Sequence, residues 1–296
     1  MENFNGLIII DKEAGFTSHD VVSRVRKILS FRKVGHTGTL DPDATGVLPI
    51  CIGKGTRVSD MLVMSDKEYV AKVRMGTVTD TQDISGKVLS VEDCAHITRK
   101  EIEDAIGHFI GEIEQIPPMY SAIKIDGQKM YDLARQGIEV ERKPRKITIY
   151  DIVLCEVENS TFTMKVRCSK GTYIRTLCHD IGQYLGCGAC METLRRTGSS
   201  IFGIEDAITL SQLEKAVMEG RLDRVILPVD TVFTQYDPVI VDDEIKTRLK
   251  NGAPSMVPYP EGTYRVYDVY KKFIAIGEVK KINGRNRMVV VKYFGE

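Results

Sequence analysis

Between Gly35 and Leu48 the chain reads Gly-His-Thr-Gly-Thr-Leu-Asp-Pro-Asp-Ala-Thr-Gly-Val-Leu, a run suited to neither a helix nor a regular strand. Gly35, Gly38 and Gly46 permit backbone conformations and close approaches that other residues resist, and Pro42 stiffens the chain just after Asp41. An Asp before Pro is ordinarily a turn former. Here its setting among three glycines, small hydroxyls and His36 makes Asp41 a carboxylate held in place, and so a candidate catalytic group.

The segments around this loop read as mixed structure. Residues 6–10 form a buried strand, and Val21, Val22, Val25, Ile28 and Leu29 make a helical stripe opened by a Thr17 or Ser18 cap. A strand is expected over 47–52, a helix over 57–64 and an alternating strand from Tyr69 to Met75. Thr98-Arg99-Lys100-Glu101 is a capping box for a helix to about His108, and Asp126-Gly127 marks a turn between a strand at 119–125 and a helix ending before Gly137. Paired strands follow at 147–157 and 162–168, then a helix over 174–185 that Gly186 stops. Strands and helices do not alternate strictly, which predicts an α+β domain on a largely antiparallel sheet. Leu227-Pro228-Val229-Asp230 closes this first domain, expected over residues 1–232. Residues 237–296 then offer one short helix and strands near 264–267, 273–279 and 288–294, the pattern of a small β-barrel.

Composition narrows the class of function. Forty-one basic and 41 acidic residues cancel to zero net charge, which by itself does not favour a nucleic-acid binder. Local basic clusters at Arg142-Lys143-Pro144-Arg145-Lys146, Arg195-Arg196, Lys271-Lys272 and Lys280-Lys281 meet phosphates only if they fold onto one face, and singly each reads as solvated surface. The seven scattered cysteines suit a reducing compartment, and Cys187-Gly188-Ala189-Cys190 lacks the second pair that a zinc site would need, so no metal is expected. No apolar stretch approaches the roughly 20 residues of a membrane span and the first residues lack a signal-peptide pattern, so a cytoplasmic location is expected. Gly53-Lys54-Gly55-Thr56 lacks the spacing of a phosphate-binding loop, and Ser121-Ala122-Ile123-Lys124 lacks the companions of a serine-lysine hydrolase.

The loop at 35–48 does not stand alone. Asp11-Lys12-Glu13-Ala14-Gly15-Phe16-Thr17-Ser18, Lys67-Glu68-Tyr69, Gln115 to Lys124, Gly171-Thr172-Tyr173-Ile174-Arg175-Thr176-Leu177 and Leu194-Arg195-Arg196-Thr197 follow one another in an order that resembles the TruB family, the pseudouridine synthases that modify uridine 55 in the T loop of tRNA. The resemblance covers roughly residues 6–230; Glu13 stands where many relatives carry proline, and the last motif continues differently, as Thr197-Gly198-Ser199-Ser200. It implies the pseudouridine synthase fold, with an active site in a central cleft of a mixed sheet, and a PUA-like RNA-binding domain for residues 237–296.

The implied reaction is an isomerisation: the bond from uracil N1 to C1′ breaks, the base turns, and C5 bonds to C1′. Nothing is oxidised or added, so a nucleophile and a base suffice without cofactor. By resemblance Asp41 is the nucleophile, attacking C1′ or C6 or assisting elimination to a glycal. Arg175 is its partner, since a guanidinium fork holds a carboxylate by paired charge-assisted bonds. Tyr69 stacks on the uracil and is placed to take the C5 proton. His36 contacts RNA around the flipped base, Tyr173 and Leu194 line the uridine pocket, and Lys12 and Lys124 approach phosphates or serve the structure. The partner implied is tRNA, gripped by a monomer with no obligatory protein. Two rival readings stay open: a guide-RNA-dependent synthase, and an RNA-binding or tRNA-folding protein in which modification is secondary.

Overall fold

The computed structural model describes residues 4–121, 123–125, 127–138 and 140–295. Strand β1 (Gly6–Lys12) is apolar at five consecutive positions and lies in the core. Helix α1 (Ser18–Ile28) opens on a capping box in which Thr17 accepts from the Asp20 N–H and the Asp20 carboxylate accepts from the Thr17 N–H. Strands β2 (Val34–His36) and β3 (Thr45–Ile52) flank the Asp41 loop and pair antiparallel. The helix expected over 57–64 begins as a 3-10 turn at Gly53–Val58 and continues as the short α2 (Ser59–Val63). β4 (Lys67–Met75) alternates buried and half-buried residues throughout, with Tyr69 on its inner face.

A hairpin of β5 (Thr77–Thr79) and β6 (Val88–Val91) follows, then α3 (Arg99–His108), opened by the expected Thr98 box, and β7 (Gly111–Gln115). In place of a strand over 119–125 there is only a two-residue hairpin, β8 (Lys124–Ile125) with β9 (Gln128–Lys129), leading into α4 (Met130–Arg135); Asp126 of the expected turn lies outside the described residues. β10 (Arg145–Glu158) and β11 (Thr161–Cys168) pair as expected, and α5 (Ile174–Tyr184) follows. β12 (Ala189–Ser199), β13 (Phe202–Gly203) and α6 (Leu210–Met218) complete this part.

The main sheet runs β1-β3-β12-β4-β11-β10-β7, with β2 on β3 and β13 on β12. Among its described strand pairs only β12 with β3 is parallel, so the sheet is mixed and largely antiparallel, as expected. Helices α3 and α5 contribute Ile102, Ile106, Leu177 and Ile181 to a core under β4, β11 and β12, while α1 and α6 cover β1 and β3. β3 is buried on both faces, which is why it reads as an apolar run rather than an alternation.

The second sheet contains β14 (Asp237–Ile240), β15 (Ser255–Met256), β16 (Gly262–Tyr267), β17 (Phe273–Ile282) and β18 (Arg285–Tyr293), with α7 (Asp243–Lys250) between the first two. Its order is β14-β16-β17-β18-β15, the sheet of the small C-terminal domain expected, and among the described residues no pairing joins its two ends. Ile276 and Phe294 pack against Leu7, Ile9 and Phe233, joining it to the first core.

The parallel seam of the main sheet rests on one glycine. Gly46 pairs with Arg196 at φ +103°, and a Cβ there would run into the Arg196 carbonyl. Gly46→Ala is therefore expected to lower the thermal midpoint well beyond Gly137→Ala, which shares a positive φ but has open space around it. The first change should cost more than about 3 kcal/mol and the second about 1–2 kcal/mol. Equal losses in the two melting curves would show that strain alone, without close approach, matters at Gly46.

Candidate active site

The Asp41 loop is clamped from below by the segment that follows β1. Ser18 Oγ, 2% exposed, accepts from the Leu40 N–H at 2.8 Å, and Gly15 N donates to Pro42 O at 3.0 Å. Lys12 is 1% exposed, and its ammonium donates to Glu13 O at 3.0 Å, Pro42 O at 2.8 Å and Ala44 O at 2.5 Å. All three of its protons are thus engaged by the backbone. Burial pulls the Lys12 ammonium down to about 8, against the pull of Asp43 and Asp41, so it remains largely charged at neutral pH. Of the two roles open to it, phosphate approach or support of the fold, these contacts favour the second: Lys12 holds up the loop that carries Asp41. The side chain of Lys124 lies outside the described residues.

Arg175 meets Asp41 from the first turn of α5. Its Nε lies 3.0 Å from Asp41 Oδ2 and its Nη2 donates to Asp41 Oδ1 at 3.4 Å, the two-point geometry of a guanidinium fork. Nη2 also donates to Tyr120 O at 2.7 Å, and Nη1 to Thr81 O at 3.2 Å and Asp83 Oδ2 at 3.5 Å. Every N–H of the guanidinium therefore has a partner, as an arginine with a side chain only 7% exposed requires. A cation at a helix N-terminus opposes the helix dipole. The two carboxylates offset that cost.

Gln115 fixes where the helix starts. Its buried amide accepts from the Tyr173 N–H at 2.8 Å and donates to Tyr173 O at 3.1 Å, gripping the backbone of the N-cap residue, whose own side chain makes no cap bond. Asp83 is held by a tight turn, its Oδ1 accepting from the Thr81 hydroxyl, the Ser85 hydroxyl and the Ser85 N–H at 2.8, 2.6 and 3.1 Å.

Two influences compete at Asp41. Its carboxylate keeps 43% of its surface accessible, yet the protein packed around it strips enough water to push its pKa up from the ordinary carboxylate value. Arg175 pulls it back down, Asp83 pushes it up, and desolvation prevails. Asp41 is consequently a better base and nucleophile than a surface aspartate, while Arg175 keeps it oriented.

Tyr69, 9% exposed on β4, feels the charge of Asp41 and faces the guanidinium of Arg196, which is itself only 1% exposed. Burial raises the Tyr69 phenol and Arg196 opposes that rise. Tyr173, half-buried at the start of α5, lies within the fields of Arg175 and Asp41. Leu194, 8% exposed, packs in the core cluster that also holds Leu40, Ala44 and Tyr69. His36 is half-buried beside Gly38, with its Nδ1 unpartnered among the described residues and its basicity lowered chiefly by burial. The structure thus gathers Asp41, Arg175, Tyr69 and Tyr173 in one place and sets His36 at the loop's entry.

Sequence reasoning missed Asp83, Gln115 and Arg196 as members of this site. Asp83 had a signal: Thr79-Asp80-Thr81-Gln82-Asp83-Ile84-Ser85-Gly86 has the same small, polar, glycine-ended make-up as the Asp41 loop. The basic pair Arg195-Arg196 does not form one exposed cluster. Arg195 pairs with Asp11 at 2.7 Å, and Arg196 is buried in the centre of the sheet.

Residues 26–174 match the family model described as TruB family pseudouridylate synthase (N terminal domain), and residues 175–234 match that of the tRNA pseudouridylate synthase B C-terminal domain. The chain belongs to the TruB family. The two matched stretches meet between Ile174 and Arg175, so the Asp41–Arg175 pair is assembled across both. A tRNA pseudouridine synthase B of Clostridium tetani is 45% identical over 94% of this chain and 96% of its own length, and one of Alkaliphilus oremlandii is 44% identical over 97% of each. Among solved structures, an H/ACA RNP bound to a substrate RNA containing 2′-deoxyuridine superposes with a TM-score of 0.73 at 28% identity, covering 98% of this chain and 85% of that one. A Cbf5-Nop10-Gar1 complex gives 0.72 at 29% identity, covering 98% and 84%. Among the described residues no helix is long and apolar enough to cross a membrane.

Because folding raises the pKa of Asp41, its charged form is less favourable in the native protein than in the unfolded chain. Asp41→Asn is therefore expected to match or exceed wild type in thermal stability at pH 7. That advantage should be complete above the raised pKa of Asp41 and vanish as pH falls towards 3.8, where both folded and unfolded wild type take up the proton. Melting curves from pH 4 to 8 test this, and a variant less stable than wild type at pH 7 would mean that the Arg175 contact outweighs desolvation.

Proposed function

We propose that this enzyme isomerises uridine 55 in the T loop of tRNA to pseudouridine, with Asp41 as the nucleophile. The observation that carries the reading is the two-point contact of Arg175 with Asp41, at 3.0 and 3.4 Å, where the loop before β3 meets the centre of the sheet. A carboxylate fixed in direction and raised in basicity suits attack on a sugar or base carbon without metal or cofactor.

In this reading Tyr69 lies against the uracil and takes the C5 proton, its ring allowing the base to turn without leaving. Tyr173 and Leu194 border the uridine, and His36, its basicity lowered chiefly by burial, contacts the RNA around the flipped base and helps to open the loop. Flipping costs a few kcal/mol of lost stacking, which such contacts offset. Residues 1–232 carry out this chemistry, and the sheet over 237–296 adds RNA contacts as a PUA-like domain. A single chain acts alone in the cytoplasm on tRNA. That choice over guide-RNA dependence is supported by curated relatives named tRNA pseudouridine synthase B, which share about 45% identity over nearly their whole length, against 28–29% for the particle-bound structures.

Purified wild type and Asp41→Asn are to be incubated with an unmodified tRNA transcript, with pseudouridine mapped by position and binding measured in parallel. Wild type is expected to convert the T-loop uridine alone, and the variant to bind with an affinity within about threefold while losing at least about 10³-fold in rate. Conversion that appears only on adding a guide RNA would favour the guide-dependent reading. Binding by wild type without conversion would favour an RNA-folding role.

A further inference from the structure

We propose that Arg196 is the positioning residue for Tyr69, holding the phenol oxygen so that the ring meets the uracil beside Asp41; this rests on the reading of Tyr69 given above. The two residues are direct cross-strand partners, Arg196 on β12 and Tyr69 on β4. Their side chains therefore leave the sheet on the same face, with Cβ atoms about 5 Å apart.

Arg196 is buried to 1% exposure, and none of the ion pairs among the described residues includes it. An unpaired guanidinium in a core is costly, and an apolar side chain of similar volume would ordinarily serve the fold as well or better. Its charge therefore has to be explained by what it touches. Nε donates to Val47 O at 2.6 Å and Nη2 to Gly38 O at 3.4 Å, and the group also faces the Tyr69 phenol.

The two carbonyls ask only for N–H donors. The phenol asks for more. A guanidinium can only donate, so in any hydrogen bond between the two the Tyr69 oxygen accepts and its own hydrogen turns away from Arg196. The positive charge also opposes the bias that burial imposes against the phenolate. Because the same guanidinium holds Gly38 O, three residues before Asp41, it fixes the tyrosine relative to the loop that carries the nucleophile.

Single-turnover conversion of an unmodified tRNA transcript and RNA binding are to be measured for wild type, Arg196→Met, Tyr69→Phe and the double variant. Methionine fills much of the volume without charge, and a melting temperature near that of wild type confirms folding. Arg196→Met is expected to slow conversion about tenfold or more with binding within about twofold. In the Tyr69→Phe background the same change should alter the rate by less than about twofold, because the group it acts through is gone. Should the methionine variant melt early, Arg196→Lys, which keeps the charge and loses the fork, carries the same comparison. Equal factors in both backgrounds would place the action of Arg196 in Gly38 and Val47 rather than Tyr69, and an unchanged rate would also overturn the proposal. If wild type converts no uridine, the functional reading fails first and the role of Arg196 falls with it.

Discussion

A buried guanidinium at the wrong end of a helix is the constraint around which this enzyme is organised. Arg175 sits in the first turn of α5, where the helix dipole repels a cation and little water reaches it. It is accommodated there because its five N–H groups find acceptors, drawn from three separate segments: the Asp41 loop, the turn that carries Thr81 and Asp83, and Tyr120. Each of those segments must therefore reach one point. The Asp41 loop is brought there by Lys12 and Ser18, the Asp83 turn by its own hydroxyls, and the start of α5 by Gln115. Motifs far apart in the sequence occur together because one cation needs them all.

The same arrangement sets the chemistry. Full exposure would leave Asp41 an ordinary acid, weakly basic and free to rotate. Deep burial without a cation would raise its pKa until it was protonated at neutral pH. Crowding together with the Arg175 fork gives an intermediate state, a carboxylate that is raised in basicity and fixed in direction. Asp83 contributes to both sides: it helps hold Arg175, and its charge raises the pKa of Asp41 further.

Much of this was legible in the sequence, for physical reasons that differ from residue to residue. The Asp41 loop announced itself because glycines and a proline around a carboxylate have few structural uses. α1 and α3 were marked by capping boxes whose geometry is local. β12 was not legible, although it lies inside the sheet: Glu192, Arg195 and Arg196 give it a surface composition, and only tertiary contacts with Val47, Gly38 and Tyr69 make the buried Arg196 tolerable there. The role of Lys12 stayed open for a related reason, since a lysine whose proton acceptors are backbone carbonyls 30 and 32 residues away looks in sequence like any surface lysine. Gln115 and Asp83 act through backbone and through Arg175, and neither role leaves a periodic trace.

Arg175 restrains a pKa that burial alone would carry higher, and the most direct test is to titrate Asp41 itself. In protein labelled with ¹³C at the aspartate carboxyls, the resonance of Asp41, assigned by its loss in Asp41→Asn, should titrate above 3.8 in wild type and higher still in Arg175→Met. A midpoint at or below 3.8, or one that does not move when Arg175 is replaced, would contradict the claim that desolvation and Arg175 together set the state of Asp41.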